Sequence, residues 1–131
     1  MKTILVDAVD AFVIRNENGF VIFEPMRKML DEFPNTKIIL TGANDEQFVQ
    51  FGLDKMPYEV FTLKHNPEKT NPEYYRIMLK QFNLLPEAVV SFEHNADAVK
   101  SAESVGIKTN YWDNEKRQLE ELRRFLEENV K

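Results

Sequence analysis

Asp7 follows the apolar run Ile4-Leu5-Val6, and Asp10 stands three residues further on. Thr41 and Gly42 close a second apolar run, Ile38-Ile39-Leu40. Glu93, His94 and Asp97 follow a third, Val89-Val90-Ser91-Phe92, and Lys69 lies just before Asn71-Pro72-Glu73. Carboxylates bind hard cations such as Mg²⁺ through oxygen. A hydroxyl and an ammonium group stabilise the negative oxygens of a phosphate. Acids, a hydroxyl and a lysine are therefore the parts needed to hold Mg²⁺ and a phosphate together. Taken singly, each has a plainer use. A strand-end Asp caps a turn, Thr41 is a turn hydroxyl, Lys69 is a solvated lysine, and Glu93 and Asp97 are acids at a helix N-terminus, where the dipole favours them. No metal-ligand spacing links His94 and His65, so both are expected in exposed loops. What gives the set meaning is its order and its placement at the ends of apolar runs.

Those runs alternate with helical patterns, which predicts an α/β domain with a mainly parallel sheet. Thr3–Val6 reads as a buried strand. Phe12–Ile14 and Phe20–Phe23 flank Arg15-Asn16-Glu17-Asn18-Gly19. There Asn18-Gly19 predicts a hairpin turn, because both residues tolerate the positive φ that a tight turn needs. Pro25 suits a first helical turn, and Met26, Met29, Leu30 and Phe33 have helical spacing. Lys37–Leu40 is predicted as the second parallel strand. A helix capped by Asn44 or Asp45 follows, running to about Phe51, and Tyr58–Leu63 forms a third strand. A helix from Asn71 to about Phe82, a strand over Ala88–Phe92, a helix over Ala96–Val105 and a strand over Ile107–Trp112 complete the alternation. Asp113 is expected to cap a last, highly charged helix with Leu119, Leu122, Phe125 and Leu126 on one face. In open sheets of this kind ligands bind beyond the carboxyl ends of the strands, which is where the candidate residues fall.

The sequence has 131 residues, 43% hydrophobic and 30% charged, and suits one soluble domain. No apolar run is long enough to span a bilayer or to form a signal peptide, so a cytoplasmic protein is expected. The absence of cysteine excludes disulfide scaffolds, thiol catalysis and Cys-ligated zinc. A net charge of −5 argues against a broad electrostatic grip on nucleic acid, while leaving room for a local anion pocket.

The order of these motifs resembles the haloacid dehalogenase (HAD) superfamily, chiefly its phosphatases, over nearly the whole chain. Ile4-Leu5-Val6-Asp7-Ala8-Val9-Asp10 is similar to a first motif of strand plus Asp-x-Asp, with only the first Asp in register. Ile38-Ile39-Leu40-Thr41-Gly42 resembles the second, and Lys69-Thr70-Asn71-Pro72-Glu73-Tyr74 the third. Val89-Val90-Ser91-Phe92-Glu93, with Asp97, resembles the fourth, Gly-Asp-x-x-x-Asp. The resemblance implies a three-layer Rossmann-like fold with a five-stranded, mainly parallel sheet and a β-hairpin flap, one domain spanning residues 1–131. It also implies a Mg²⁺-dependent phosphate-ester hydrolase acting on a phosphorylated substrate. Asp7 would be the nucleophile that forms an aspartyl-phosphate, and Thr41 and Lys69 would bind the phosphoryl oxygens. Glu93 and Asp97 would hold Mg²⁺ with Asp7 and the Val9 backbone carbonyl.

Two of the motifs depart from that pattern. Val9 stands where the phosphatases carry an acid/base Asp, and losing such a group costs about 10²–10⁴-fold, so a slow enzyme is expected. Glu93 and Phe92 replace Asp and Gly. A non-catalytic HAD-like binding or scaffold domain therefore stays open beside the hydrolase. A receiver-like phosphoacceptor domain fits less well, because Lys64-His65-Asn66-Pro67 after the third strand holds no Asp. The stretch from Thr41 to Lys69 has room for only one helix and one strand, and the flap is short. The resemblance therefore implies a capless core with an open site, which a neighbouring subunit could cover in a homo-oligomer.

Overall fold

The computed structural model describes residues 1–131. β1 (Thr3–Asp7) is followed by a hairpin of β2 (Val13–Asn16) and β3 (Gly19–Ile22), then by α1 (Glu24–Asp31), β4 (Lys37–Thr41) and α2 (Asp45–Gln50). β5 (Glu59–Thr62), α3 (Glu73–Gln81), β6 (Val89–Glu93), α4 (Ala96–Ser104), β7 (Lys108–Tyr111) and α5 (Leu119–Asn129) complete the chain. Five strands form one parallel sheet in the order β5-β4-β1-β6-β7, and the hairpin is a separate two-stranded ribbon. No helix is long and apolar enough to cross a membrane.

Side chains on a strand alternate between faces, so each central strand feeds two cores. Ile4 and Val6 of β1, Ile39 of β4 and Val90 and Phe92 of β6 join Met26, Met29 and Leu30 of α1 and Leu122 and Leu126 of α5. Leu5, Ile38, Leu40 and Val89 point the other way, against Tyr74, Tyr75, Met78 and Leu79 of α3 and Ala102 of α4. The result is a helix–sheet–helix sandwich of the Rossmann-like kind. Most of these side chains are inaccessible to solvent, and each Val, Leu, Ile, Phe or Met among them contributes about 1.5–3 kcal/mol relative to exposure. Because β1 is covered on both faces, its sequence reads as an unbroken apolar run rather than an alternating one.

Two local expectations differ from the structure. In the hairpin only Gly19 takes positive φ (116°); Asn18 does not, because the Asn16 side chain accepts the Asn18 N–H at 2.8 Å and closes an Asx-turn instead. Asp113 does not cap the last helix. Its carboxylate accepts the N–H groups of Glu115 and Lys116 in a preceding turn, Arg117 has φ 50°, and α5 starts only at Leu119, after Gln118.

Between Thr41 and Lys69 lie only α2, a short 3₁₀ turn at Leu53–Lys55 and β5, and the hairpin directly follows β1. Neither stretch carries a further domain.

Candidate active site

Strand register brings the acids together. β1 is flanked by β4 and β6, with Val6 opposite Phe92 and Asp7 opposite Leu40. Asp7 and Glu93 therefore end adjacent strands on the same edge of the sheet, and Thr41 ends β4 on the other side of β1. The chain runs outward from β1 to β4 and β5 and then crosses back to β6. This is a topological switch point, where the connections diverge and leave a crevice. The loop after β5 returns across the crevice and delivers Lys69 ahead of α3.

The Lys69 ammonium donates to Asp7 Oδ1 at 2.8 Å and to Glu93 Oε1 at 2.8 Å. The carboxylates are 2% and 3% exposed and the lysine side chain 14%, so these are buried, charge-assisted bonds. The other oxygens are also held. Asp7 Oδ2 accepts the His94 backbone N–H at 3.0 Å and pairs with His94 Nδ1 at 2.5 Å. Glu93 Oε2 accepts the Asn95 N–H at 3.0 Å and lies 3.2 Å from His94 Nδ1. Asn95 in turn caps α4, its side chain accepting the N–H groups of Asp97 and Ala98. The helix cap thus fixes the turn that carries Glu93 and His94.

Burial and the neighbouring Glu93 charge push the Asp7 carboxyl above its usual range, against the pull of Lys69 and His94. For Glu93, burial works upward too, but the Lys69 ammonium and the hydrogen bonds from His94 and Lys69 outweigh it and hold the carboxyl low. Burial would lower Lys69; the charges of Asp7 and Glu93 overcome it and raise the ammonium well above its normal value. Hydrogen bonds to Asp7 and Glu93 push His94 up to about 10, against the opposing effect of its burial. The Glu93 carboxylate and the Asp7 carboxyl thus face an ammonium and an imidazolium.

Thr41 is buried and lines the same cleft, its Oγ1 accepting the Ala43 N–H at 3.2 Å. Its carbonyl takes the Tyr74 hydroxyl hydrogen at 2.7 Å, which ties the end of β4 to α3. Val9 lines the cleft with its neighbours, and no backbone N–H donates to its carbonyl oxygen. The cleft holds about 220 Å³, and its outer rim includes Gln47, Phe51, His65 and Glu68. Asp97 sits on the first turn of α4, exposed, and does not line this cleft.

The structure therefore brings together Asp7, Val9, Thr41, Lys69 and Glu93 and leaves Asp97 outside. His65 is exposed at the rim, as expected, where it pairs with Glu68 and Gln47. His94 is not an exposed loop residue. It is turned inward, and its Nδ1 forms with Asp7 and Glu93 a compact group of three donors within 4.8 Å of one another. The sequence carried a signal for it: a His directly after the acid that ends the strand beside β1. A search for His-x-His spacing passes over that position.

The same arrangement of strands occurs in known hydrolases. A HAD family enzyme from Bacteroides thetaiotaomicron, solved with magnesium and inorganic phosphate, superposes with a TM-score of 0.66 at 11% identity, covering 87% of this chain and 95% of that one. The chain has the haloacid dehalogenase-like fold. A HAD-superfamily hydrolase of subfamily IA from Geobacter sulfurreducens matches with a TM-score of 0.65 at 14% identity, over 86% of this chain and 87% of the other. No family model matches the sequence. A phosphorylated carbohydrates phosphatase from Thermotoga maritima is 42% identical over 43 residues, 33% of this HAD-like chain and 20% of the phosphatase's own length.

Proposed function

We propose that this chain is a Mg²⁺-dependent phosphate-monoester hydrolase that works through an aspartyl-phosphate on Asp7. The observation that carries the reading is the Asp7 carboxylate itself. It lies at the switch point of a HAD-like sheet, with one oxygen on Lys69 and Glu93 beside it across the β1–β6 seam. The likeness to hydrolases of the same fold and the short match to a phosphatase support it.

The donor set suits a hard divalent cation. Two buried carboxylates and a carbonyl oxygen with no backbone partner are all oxygen ligands. Asp7, Glu93 and the Val9 carbonyl would hold Mg²⁺, and Asp97, exposed on α4, is left out of this set. When bound, the ion neutralises phosphate charge so that a carboxylate can approach. The protein's own residues do the rest. Lys69 and the Thr41 hydroxyl take the phosphoryl oxygens. Asp7 Oδ1, the oxygen beside Lys69, forms the new bond to phosphorus as the ester P–O bond breaks. Water then cleaves the aspartyl-phosphate and releases inorganic phosphate. Val9 cannot protonate the departing oxygen, so that proton comes from solvent. The chemistry therefore favours substrates whose leaving group is stable as an anion.

The test is hydrolysis of p-nitrophenyl phosphate with and without Mg²⁺, with Asp7→Asn as control. Mg²⁺-dependent turnover that vanishes in Asp7→Asn is expected. Turnover no greater than that of Asp7→Asn would overturn the catalytic reading. Val9 in the cleft favours a second reading, a non-catalytic phosphate-binding domain. Phosphate binding without turnover would point to it.

A further inference from the structure

The carboxylate pair explains a hard-cation site, and the His94 ring stands against both of its acids. Here the Nδ1 atom points at Asp7 Oδ2 and Glu93 Oε2, at 2.5 and 3.2 Å, on the side of the two carboxylates away from Lys69. Lys69 holds Oδ1 and Oε1, so Oδ2, Oε2 and Nδ1 form a separate triangle of donors. Ligands about 2.1 Å from an ion and cis to one another stand about 3.0 Å apart, by the square-root-of-two edge of an octahedron. The two separations from Nδ1 bracket that value.

The opposite ring nitrogen supplies a second, independent observation. His94 Nε2 lies 3.7 Å from Asp10 Oδ2. Asp10 holds a positive φ of 73°, in the turn directly after β1, and its exposed carboxylate stands at ion-pair distance from Nε2. A metal-bound histidine characteristically gives its remaining N–H to a carboxylate, which fixes the tautomer and raises the basicity of the ligating nitrogen. Asp10 stands on the side of the ring where that carboxylate is required.

We propose that His94 Nδ1 is a protein ligand of the divalent-metal site, oriented by Asp10, and that the site consequently binds a first-row transition ion such as Co²⁺ or Ni²⁺ more tightly than Mg²⁺. An all-oxygen site suits Mg²⁺ well, whereas an imidazole ligand favours the transition ions. The site accepts Mg²⁺ through its oxygens, and the nitrogen adds affinity only for the softer ions. Coordination displaces the Nδ1 proton of the imidazolium into solvent, and the ring keeps its remaining proton on Nε2, facing Asp10. The inference rests on the reading of the crevice as a divalent-metal site and adds to it the identity of one ligand and the selectivity that follows.

The decisive experiment loads the purified full chain with Mn²⁺ and records electron spin-echo modulation for directly bound ¹⁴N. Co²⁺ and Mg²⁺ affinities are measured alongside by titration calorimetry. Strong ¹⁴N modulation is expected in the parent chain and in His65→Ala, and its loss in His94→Gln. His94→Gln should weaken Co²⁺ by about 10–100-fold while leaving Mg²⁺ within a few-fold. Asp10→Ala should keep the ¹⁴N signal and weaken Co²⁺ by about tenfold. Mg²⁺ and Co²⁺ binding with no ¹⁴N modulation, or with equal affinity, would overturn the inference and leave the hydrolase reading standing. Modulation lost in His65→Ala and kept in His94→Gln would also overturn it. Failure of every ion to bind would overturn both.

Discussion

Lys69 is the most informative position to perturb, because it separates two buried carboxylates. In Lys69→Met the side chain keeps much of its bulk and loses both charge-assisted hydrogen bonds. The donor atoms of Asp7 and Glu93 lie within 4.8 Å of each other. At the far end of that range two like charges repel by about 3.5 kcal/mol for an effective dielectric of about 20, and more if closer. The fold has one escape, protonation of Asp7, which burial and Glu93 already push upward. Holding an aspartate protonated at pH 7 costs about 1.4 kcal/mol per pH unit above its ordinary value near 3.8, or about 4 kcal/mol. That sets the ceiling, and about 3–4 kcal/mol of lost stability is expected, in line with about 3–5 for breaking a buried ion pair. At pH 5 the same protonation costs only about 1.6 kcal/mol, so the deficit should shrink to about 2 kcal/mol. The sign follows from linkage. A carboxyl raised in the folded state binds more protons there than in the unfolded chain, so acid favours the fold. The assay is urea denaturation of both proteins in EDTA at pH 7 and pH 5. A deficit below about 1 kcal/mol at pH 7, or one unchanged at pH 5, would refute the buried Asp7–Lys69–Glu93 arrangement.

Further outcomes follow from the same geometry. His94 is raised from 6.5 to about 10 in the folded state by Asp7 and Glu93. Its contribution is therefore fully present below about pH 6.5 and lost as pH rises through about 10. With His94 28% exposed, about 2 kcal/mol is expected as the difference in pH response between the parent and His94→Asn, read by urea melts in EDTA from pH 6 to 10. Equal pH responses would contradict the contact with Asp7. Val9→Asp places a carboxyl in the cleft. It should raise the hydrolysis of alkyl phosphates by about 10²-fold and that of p-nitrophenyl phosphate much less, measured as kcat on both substrates. Asn95→Ala removes the cap of α4 and should cost about 1 kcal/mol in urea denaturation. Because the cap fixes the Glu93-His94 turn, the variant should also weaken Mg²⁺ binding by calorimetry.

Much of the fold was legible because it follows from local rules. Ile4-Leu5-Val6 reads as a doubly buried strand, Pro25 starts a helix, and Asn44 caps another through a reciprocal pair with Gln47. The strand-end rule singled out Asp7, Thr41 and Glu93, because a sheet's carboxyl edge needs no knowledge of strand order to be found. Position across strands was less legible. That Glu93, rather than Asp97, stands beside Asp7 depends on β6 pairing with β1 and on the turn that ends β6 at Glu93, which leaves Asp97 a helical turn away on the exposed side of α4. His94 was missed for a similar reason: its partner Asp7 is 87 residues away in sequence, and no spacing records that contact. Asp113 misled because an aspartate caps turns as readily as helices. Here positive φ at Arg117 stops the turn from running into α5.

The central claim is that Asp7 is a nucleophile toward phosphorus. Crystals grown with Mg²⁺ and soaked in beryllium fluoride test it most directly, since that species mimics a phosphoryl group on a carboxylate. The account predicts a covalent adduct on the Asp7 carboxylate, with Lys69 swung from its bridge between Asp7 and Glu93 onto the fluorines and with Thr41 Oγ1 in contact. An adduct absent or formed on another residue, with Lys69 still bridging Asp7 and Glu93, would contradict it.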